Sequence, residues 1–312
     1  MNQLKTLLFV STAALCVAIA LPLNATPDAT AELVTWTPDV FQAAVLGMVQ
    51  GLTEFIPISS TAHLKVVPEL LGWGDPGSAF SAVIQLGSIV AVFGYFWQDL
   101  VQVVGGSIRA ISESDYDSPD FRIALGIAVG TLPIVIVGLL VKFVFREFYE
   151  DNVRSLAVIA IVSIVMGVLL GLAEKLCRHK RGFQALSAKD GILMGLAQTL
   201  ALVPGVSRSG STITAGLFMG LERATAARFS FLLGLPAITL AGLVELKDVF
   251  ETSGEVGWMP LASGLLSAGV FSYLAIAWLI RFLQTRSTWI FVWYRVIFGI
   301  FILVVMRNNL FS

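Results

Sequence analysis

Six long stretches of this chain carry almost no charge: Ser78 to Trp97, Ile123 to Val141, Ser155 to Ala173, Phe229 to Val244, Val256 to Ile280, and Ser287 to Met306, the last broken only by Arg295. Each approaches the roughly 20 apolar residues that a helix needs to cross a bilayer. Lipid offers no partner to a backbone N–H or C=O, so such runs cross as helices with all backbone bonds made internally. Hydrophobic residues make up 56 % of the 312 positions and charged residues 13 %, against the roughly 45–50 % and about 25 % of soluble domains. The expectation is an all-α polytopic membrane protein with six full transmembrane helices.

Composition also excludes functions. The net charge is −1, and there is no basic stripe or aromatic RNA-binding motif, so nucleic acid is not an expected partner. Cys16 and Cys177 have no metal-type spacing and read as incidental. Residues Thr6 to Leu21 form a further apolar run, followed by Pro22 and a polar stretch. Residues 1–35 therefore read as either a cleaved signal peptide or an extra N-terminal helix, leaving 36–312 as the membrane-embedded domain.

Two segments break the pattern. Val40 to Leu71 and Gly191 to Met219 each contain two short apolar helical runs meeting at a proline, too short to cross singly. Non-helical backbone is tolerated at membrane depth only where protein or a water-filled cavity covers it, so each is expected to be a re-entrant hairpin. The loop Lys175 to Lys189 holds Lys175, Arg178, Lys180, Arg181 and Lys189, which places it in the cytoplasm. Counting spans from there makes Gln98 to Phe121 a cytoplasmic loop and Glu245 to Glu255 an outer one. The first hairpin then opens from the outside and the second from the cytoplasm. Hairpin, span, span occurs twice with opposite orientation, over about 38–146 and 188–284. Such inverted-topology repeats place a binding site near the midplane.

The hairpins carry the polar residues. In GMVQGLTEFIPISSTAHLK (Gly47 to Lys65), Gln50 and Glu54 share one helix face and Pro57 stops that helix. Ser59 or Ser60 caps the next one, with Thr61 beside them. Ser60 and His63, three apart, put a hydroxyl and an imidazole on one side, the minimum for nucleophilic group transfer. Singly, such serines are ordinary caps and such a histidine an ordinary buried residue. A membrane-embedded Glu54 facing them gives the three a shared reason.

In GLAQTLALVPGVSRSGSTITAG (Gly195 to Gly216), the turn after Pro204 supplies Gly205, Ser207, Arg208, Ser209, Gly210 and Thr212. Successive backbone N–H groups in such a turn, at the positive end of a helix, form an anion-binding nest. Arg208 adds a bidentate donor suited to phosphate. Arg295 is open between a structural pair, an interface anchor beside Trp293 and Tyr294, and a site residue. Glu222, Arg223 and Arg228 read as solvated or capping at a cytoplasmic helix start, and Lys142, Arg146, Glu147, Glu150 and Asp151 as a solvated outer loop.

The strings GLTEFIPISSTAHL and PGVSRSGSTITAG, about 150 residues apart, closely resemble the two signature motifs of the bacterial undecaprenyl-diphosphate phosphatase family of the bacitracin-resistance type. Likeness continues through FSAVIQLGSIVAVFGYFW, FRIALGIAVGTLPIVIVGLL, RFSFLLGLPA and the closing YR, from about Val40 to Met306. The resemblance implies hydrolysis of undecaprenyl diphosphate to the monophosphate lipid carrier of peptidoglycan synthesis, with bacitracin resistance, in the bacterial cytoplasmic (inner) membrane. It implies Glu54, Ser60 and His63 as catalytic residues, supported by Gln50, Ser59 and Thr61. Ser207, Arg208, Ser209, Gly210 and Thr212 become phosphate-binding, and Arg295 joins them through its YR context. The resemblance also implies a divalent cation, Mg²⁺ or Ca²⁺, on Glu54, although Gln50, at a position where the family's pattern accepts Glu or Gln, halves the carboxylates available to it. The rival reading is an inverted-repeat transporter or flippase of a phosphorylated lipid or anionic solute.

Overall fold

A computed structural model describes residues 36–308 apart from 76, 146–148 and 150–152. The apolar run in 1–35 and Arg146, Glu147, Glu150 and Asp151 of the expected outer loop lie outside the described residues. Eleven α-helices and no strand occur among the described residues. They are α1 (Val40–Phe55), α2 (Ser60–Leu70), α3 (Gly77–Tyr95), α4 (Trp97–Glu113), α5 (Pro119–Phe143), α6 (Leu156–Leu176), α7 (Ala188–Thr199), α8 (Arg208–Phe218), α9 (Arg223–Val256), α10 (Trp258–Thr285) and α11 (Trp289–Arg307). Five of them are long and apolar enough to cross a bilayer, or six where the bent pair α3–α4 is counted as one span. The protein is a multi-pass membrane protein. Its outward surfaces are apolar, as at Val90, Leu266, Val270 and Ile297.

Both expected hairpins are present as broken helix pairs whose halves pack on each other, α1 with α2 and α7 with α8. Two expected loops are instead helical. Gln98 to Phe121 is mostly α4, which leaves α3 at 65°. Its apolar residues Val101, Val104, Ile108 and Ile111 form an exposed stripe at helical spacing, while Val103, Ser107 and Ala110 are buried. An amphipathic helix of this kind suits the membrane surface, and four acidic residues at its end hid the period. The acidic stretch 245–255 likewise continues α9.

Packing is reciprocal between the two halves. The first hairpin lies along α10 through α1, and the second lies along α5 through α7. Glycine makes both approaches. A Cβ on Gly47 or Gly51 would strike the α10 backbone at Gly264 and Ala268, and a Cβ on Gly191 or Gly195 would strike the α5 backbone at Gly126 and Gly130. Small residues let helix backbones touch where lipid supplies no hydrophobic drive to associate. α3 packs on α9 at the centre, and α6 pairs with α11 beside the hairpins.

Arg223 and Arg228 are ion-paired rather than solvated. Arg223 grips the buried Glu174, which also accepts from the Thr288 backbone and hydroxyl. Arg228 pairs with Asp99 at the start of α4 and lies 4.0 Å over the Phe183 ring. Arg181 holds Asp190 at 2.7 Å, fastening the entry of the second hairpin to the basic loop.

Candidate active site

Glu54 is the hub. Pro57 has no N–H to continue α1, so that helix ends just past Glu54 and presents the carboxylate at the break. Glu54 Oε2 accepts from Gln50 Nε2 at 3.2 Å and from Ser60 Oγ at 2.7 Å. Its Oε1 accepts from Arg208 Nη2 at 3.2 Å, across from the second hairpin. The two tips also meet directly, with Ser209 Oγ 3.4 Å from the Glu54 carbonyl and 3.3 Å from that of Ile56. The two stretches that the sequence sets 150 residues apart thus converge on one carboxylate.

The tips are built alike. Ser59 and Ser207 precede α2 and α8 with φ of 76° and 70°, values that L residues rarely adopt. Each turns its hydroxyl back as a cap, Ser59 Oγ accepting from Ala62 N and Ser207 Oγ from Gly210 N. Two helix N-termini, each with the positive end of its dipole, therefore open at the junction.

Arg208 is nearly enclosed, its side chain 9 % exposed. One donor engages Glu54, while Nε and Nη1 are buried without a hydrogen-bond partner. Gly234 of α9 makes the room, since a Cβ there would collide with the guanidinium. Two unused charge-assisted donors in a buried position call for an acceptor that is an anion.

His63 sits differently from the expected pairing with Ser60. Its Nδ1 lies 2.7 Å from the Ser59 carbonyl, which only accepts, so this nitrogen carries the proton. Nε2 is then bare and accepts from the Tyr294 hydroxyl at 2.6 Å. The ring stacks on Phe298, centroids 4.3 Å apart. The group within reach of the Ser60 hydroxyl is Glu54.

The remaining expected residues divide. Ser60, Glu54 and Arg208 face the junction, and Gln50 stands behind Glu54. Thr61 is exposed on the next position of α2. Thr212 is fully buried, and its hydroxyl contacts the Arg208 carbonyl at 2.8 Å and Ser230 Oγ at 2.5 Å. It fastens α8 to α9 and does not face the gap. Arg295 is 1 % exposed and binds carbonyls of α6 and of both hairpins. Tyr294 and Ser163 were not anticipated as partners of the site, one an aromatic and the other a lone hydroxyl residue in an apolar span. Among the described residues no cluster of three or more His, Cys, Asp or Glu surrounds a metal position.

Two broken hairpins of a helical bundle thus bring a carboxylate, a hydroxyl and a guanidinium together. The family of the bacitracin resistance protein BacA matches residues 43–301 of the chain. The chain is 62 % identical over 266 residues to a Trichormus variabilis protein named undecaprenyl-diphosphatase, covering 85 % of this chain and 83 % of that one. A Synechocystis protein of the same name is 62 % identical over 269 residues, covering 86 % and 82 %. A Synechococcus protein, also so named, is 58 % identical over 282 residues, covering 90 % and 98 %. The chain belongs to the BacA family.

Proposed function

We propose that the protein hydrolyses undecaprenyl diphosphate to undecaprenyl phosphate and inorganic phosphate, as the names of its relatives describe for them. The observation that carries this reading is the Ser60 hydroxyl donating to Glu54 Oε2 at 2.7 Å while Glu54 Oε1 meets Arg208 across the junction. A carrier has no use for a hydroxyl poised on a carboxylate, so hydrolysis is favoured over transport.

In the proposed reaction the diphosphate enters between the tips and takes the unused Arg208 N–H groups, with its isoprenoid tail left in lipid. Ser60 Oγ attacks the terminal phosphorus, its proton passes to Glu54, and the anhydride bond breaks to release the lipid monophosphate. Glu54 passes that proton to the leaving lipid phosphate, and the regenerated carboxylate then deprotonates the water that cleaves the phosphoserine, giving inorganic phosphate and returning the proton to Ser60 Oγ. Arg208 and the two helix N-termini stabilise the charge that spreads over the transferring group. His63 acts here by holding the Ser59 carbonyl, which fixes the strained residue ahead of Ser60.

A divalent cation fits this donor set as a companion of the substrate. Mg²⁺ is commonly held by one or two carboxylates together with substrate phosphates, and Glu54 is the carboxylate that would share it. Such an ion would neutralise charge on the diphosphate. The two halves are proposed to lie inverted in the cytoplasmic membrane, with the 175–189 loop inside.

The test is phosphate release from a polyprenyl diphosphate by the purified protein in detergent. The wild type is expected to release it and Glu54→Gln to lose about 10²–10⁴-fold in kcat, the range for removal of a positioned base. Full activity of Glu54→Gln would contradict the assignment.

A further inference from the structure

Arg295 stands where the two broken helices leave carbonyls without their normal partners. A helix end exposes C=O groups that have no intrahelical donor, and at membrane depth water does not replace it. The guanidinium donates from Nη1 to the Pro57 carbonyl at 3.0 Å and from Nη2 to the Gly205 carbonyl at 2.7 Å. Pro57 and Gly205 are the break residues of the first and second hairpins. Nε donates to the Ser163 carbonyl in α6 at 3.2 Å, and Ser163 Oγ returns a contact to the Arg295 carbonyl at 3.3 Å. One planar group is therefore bonded to both hairpins and to the helix behind them.

The surroundings are shaped for it. A Cβ on Gly210 would come within 3.0 Å of Nη1, and one on Gly167 within 3.1 Å of the Arg295 Cβ. The residue before it, Tyr294, holds His63, so consecutive positions of α11 reach the first hairpin from one side and bridge both from the other. The fork of a guanidinium spans several fixed acceptors at once, whereas an ammonium is a single point of charge.

We infer that Arg295 is a positioning residue that cross-links the breaks of the two hairpins and so sets the separation of Ser60 from Arg208, and that it is not a phosphate ligand. The inference rests on the phosphatase reading for its kinetic consequence and on the coordinates alone for its structural one. A displacement of about 1 Å at reacting groups costs on the order of 10²-fold in rate, so loss of the bridge appears in kcat. A phosphate ligand lost without movement of the hairpins leaves amide exchange at both tips unchanged, whether the loss falls on kcat or on KM.

The experiment compares wild type, Arg295→Lys and Gly210→Ala in detergent. It reads kcat and KM for a polyprenyl diphosphate and amide hydrogen exchange at both hairpin tips. Gly210→Ala keeps the guanidinium charge but presses on Nη1, as well as on the Ser207 side chain, by a few tenths of an ångström, and it serves where Arg295→Lys does not fold. The expected result for Arg295→Lys is a fall in kcat of about 10²-fold, with a smaller fall for Gly210→Ala, together with faster exchange around Ile58 and Val206 in both variants. A raised KM with wild-type kcat and unchanged exchange at either tip would overturn the inference, as would a Gly210→Ala protein indistinguishable from wild type. If the wild type released no phosphate, the phosphatase reading would fail, and exchange at the tips would still decide the role of Arg295.

Discussion

At the residue scale the chemistry turns on which side chains have unused bonding capacity. Arg208 has two such donors, so Arg208→Lys, which keeps the charge but loses the fork, should raise KM for polyprenyl diphosphate well above that of wild type. Unchanged KM would show that those donors do not meet the substrate. Gln50 donates to Glu54 at 3.2 Å. Gln50→Glu would put two carboxylates there, and like charges so close call for a cation. Titration with Mg²⁺ or Ca²⁺ should then show activity depending on metal more steeply than in wild type, and an identical titration would contradict it. Glu54, Ser60 and Arg208 were legible because a polar residue in apolar sequence needs a reason. The partner of His63 was not, since spacing along α2 places Ser60 and His63 near one another but does not say that Tyr294, more than two hundred residues on, offers the better hydrogen bond. Arg295 was visible as a buried charge, but its acceptors are backbone carbonyls, which carry no sequence signal.

At the element scale the hairpins are held by backbone contact. Gly195 has no room for a side chain against Gly130, nor Gly47 against Gly264. Gly195→Leu should therefore lower the detergent melting temperature, by an amount equivalent to about 1–3 kcal/mol if the helices shift to accommodate it, or prevent folding. A melting temperature equal to wild type would show that α7 and α5 are not in contact. The hairpins themselves were readable from proline placed between short apolar runs. α4 was not, because its period lies in the exposed stripe Val101, Val104, Ile108 and Ile111, while nearby Glu113, Asp115, Asp117 and Asp120 give the segment the look of a loop. The extension of α9 through 245–255 escaped for the same reason: charge signals solvent, and a helix continues into solvent as readily as a loop does.

For the whole molecule, the fold supplies a reciprocal plan in which each half packs its hairpin on the last helix of the other, and the proposed membrane orientation makes that plan an inversion. In a background lacking Cys16 and Cys177, Asp75→Cys should react with an impermeant thiol reagent added outside intact cells, and Lys180→Cys only after permeabilisation. Labelling of both from one side would refute the inverted arrangement. That the chain is an all-α membrane protein was legible from its uncharged runs, and that it carries two broken hairpins from its two similar motifs. The convergence of those motifs on Glu54 was an expectation that only coordinates could test, because it depends on how α1 and α7 lie against α10 and α5. The most direct measurement of the central claim is an experimental structure with a non-cleavable methylene-bridged polyprenyl bisphosphonate. The terminal phosphonate is expected between the hairpin tips, bonded to Arg208 Nε and Nη1, with its phosphorus facing Ser60 Oγ. A headgroup bound elsewhere, or one in the junction with Ser60 turned away from phosphorus, would contradict it.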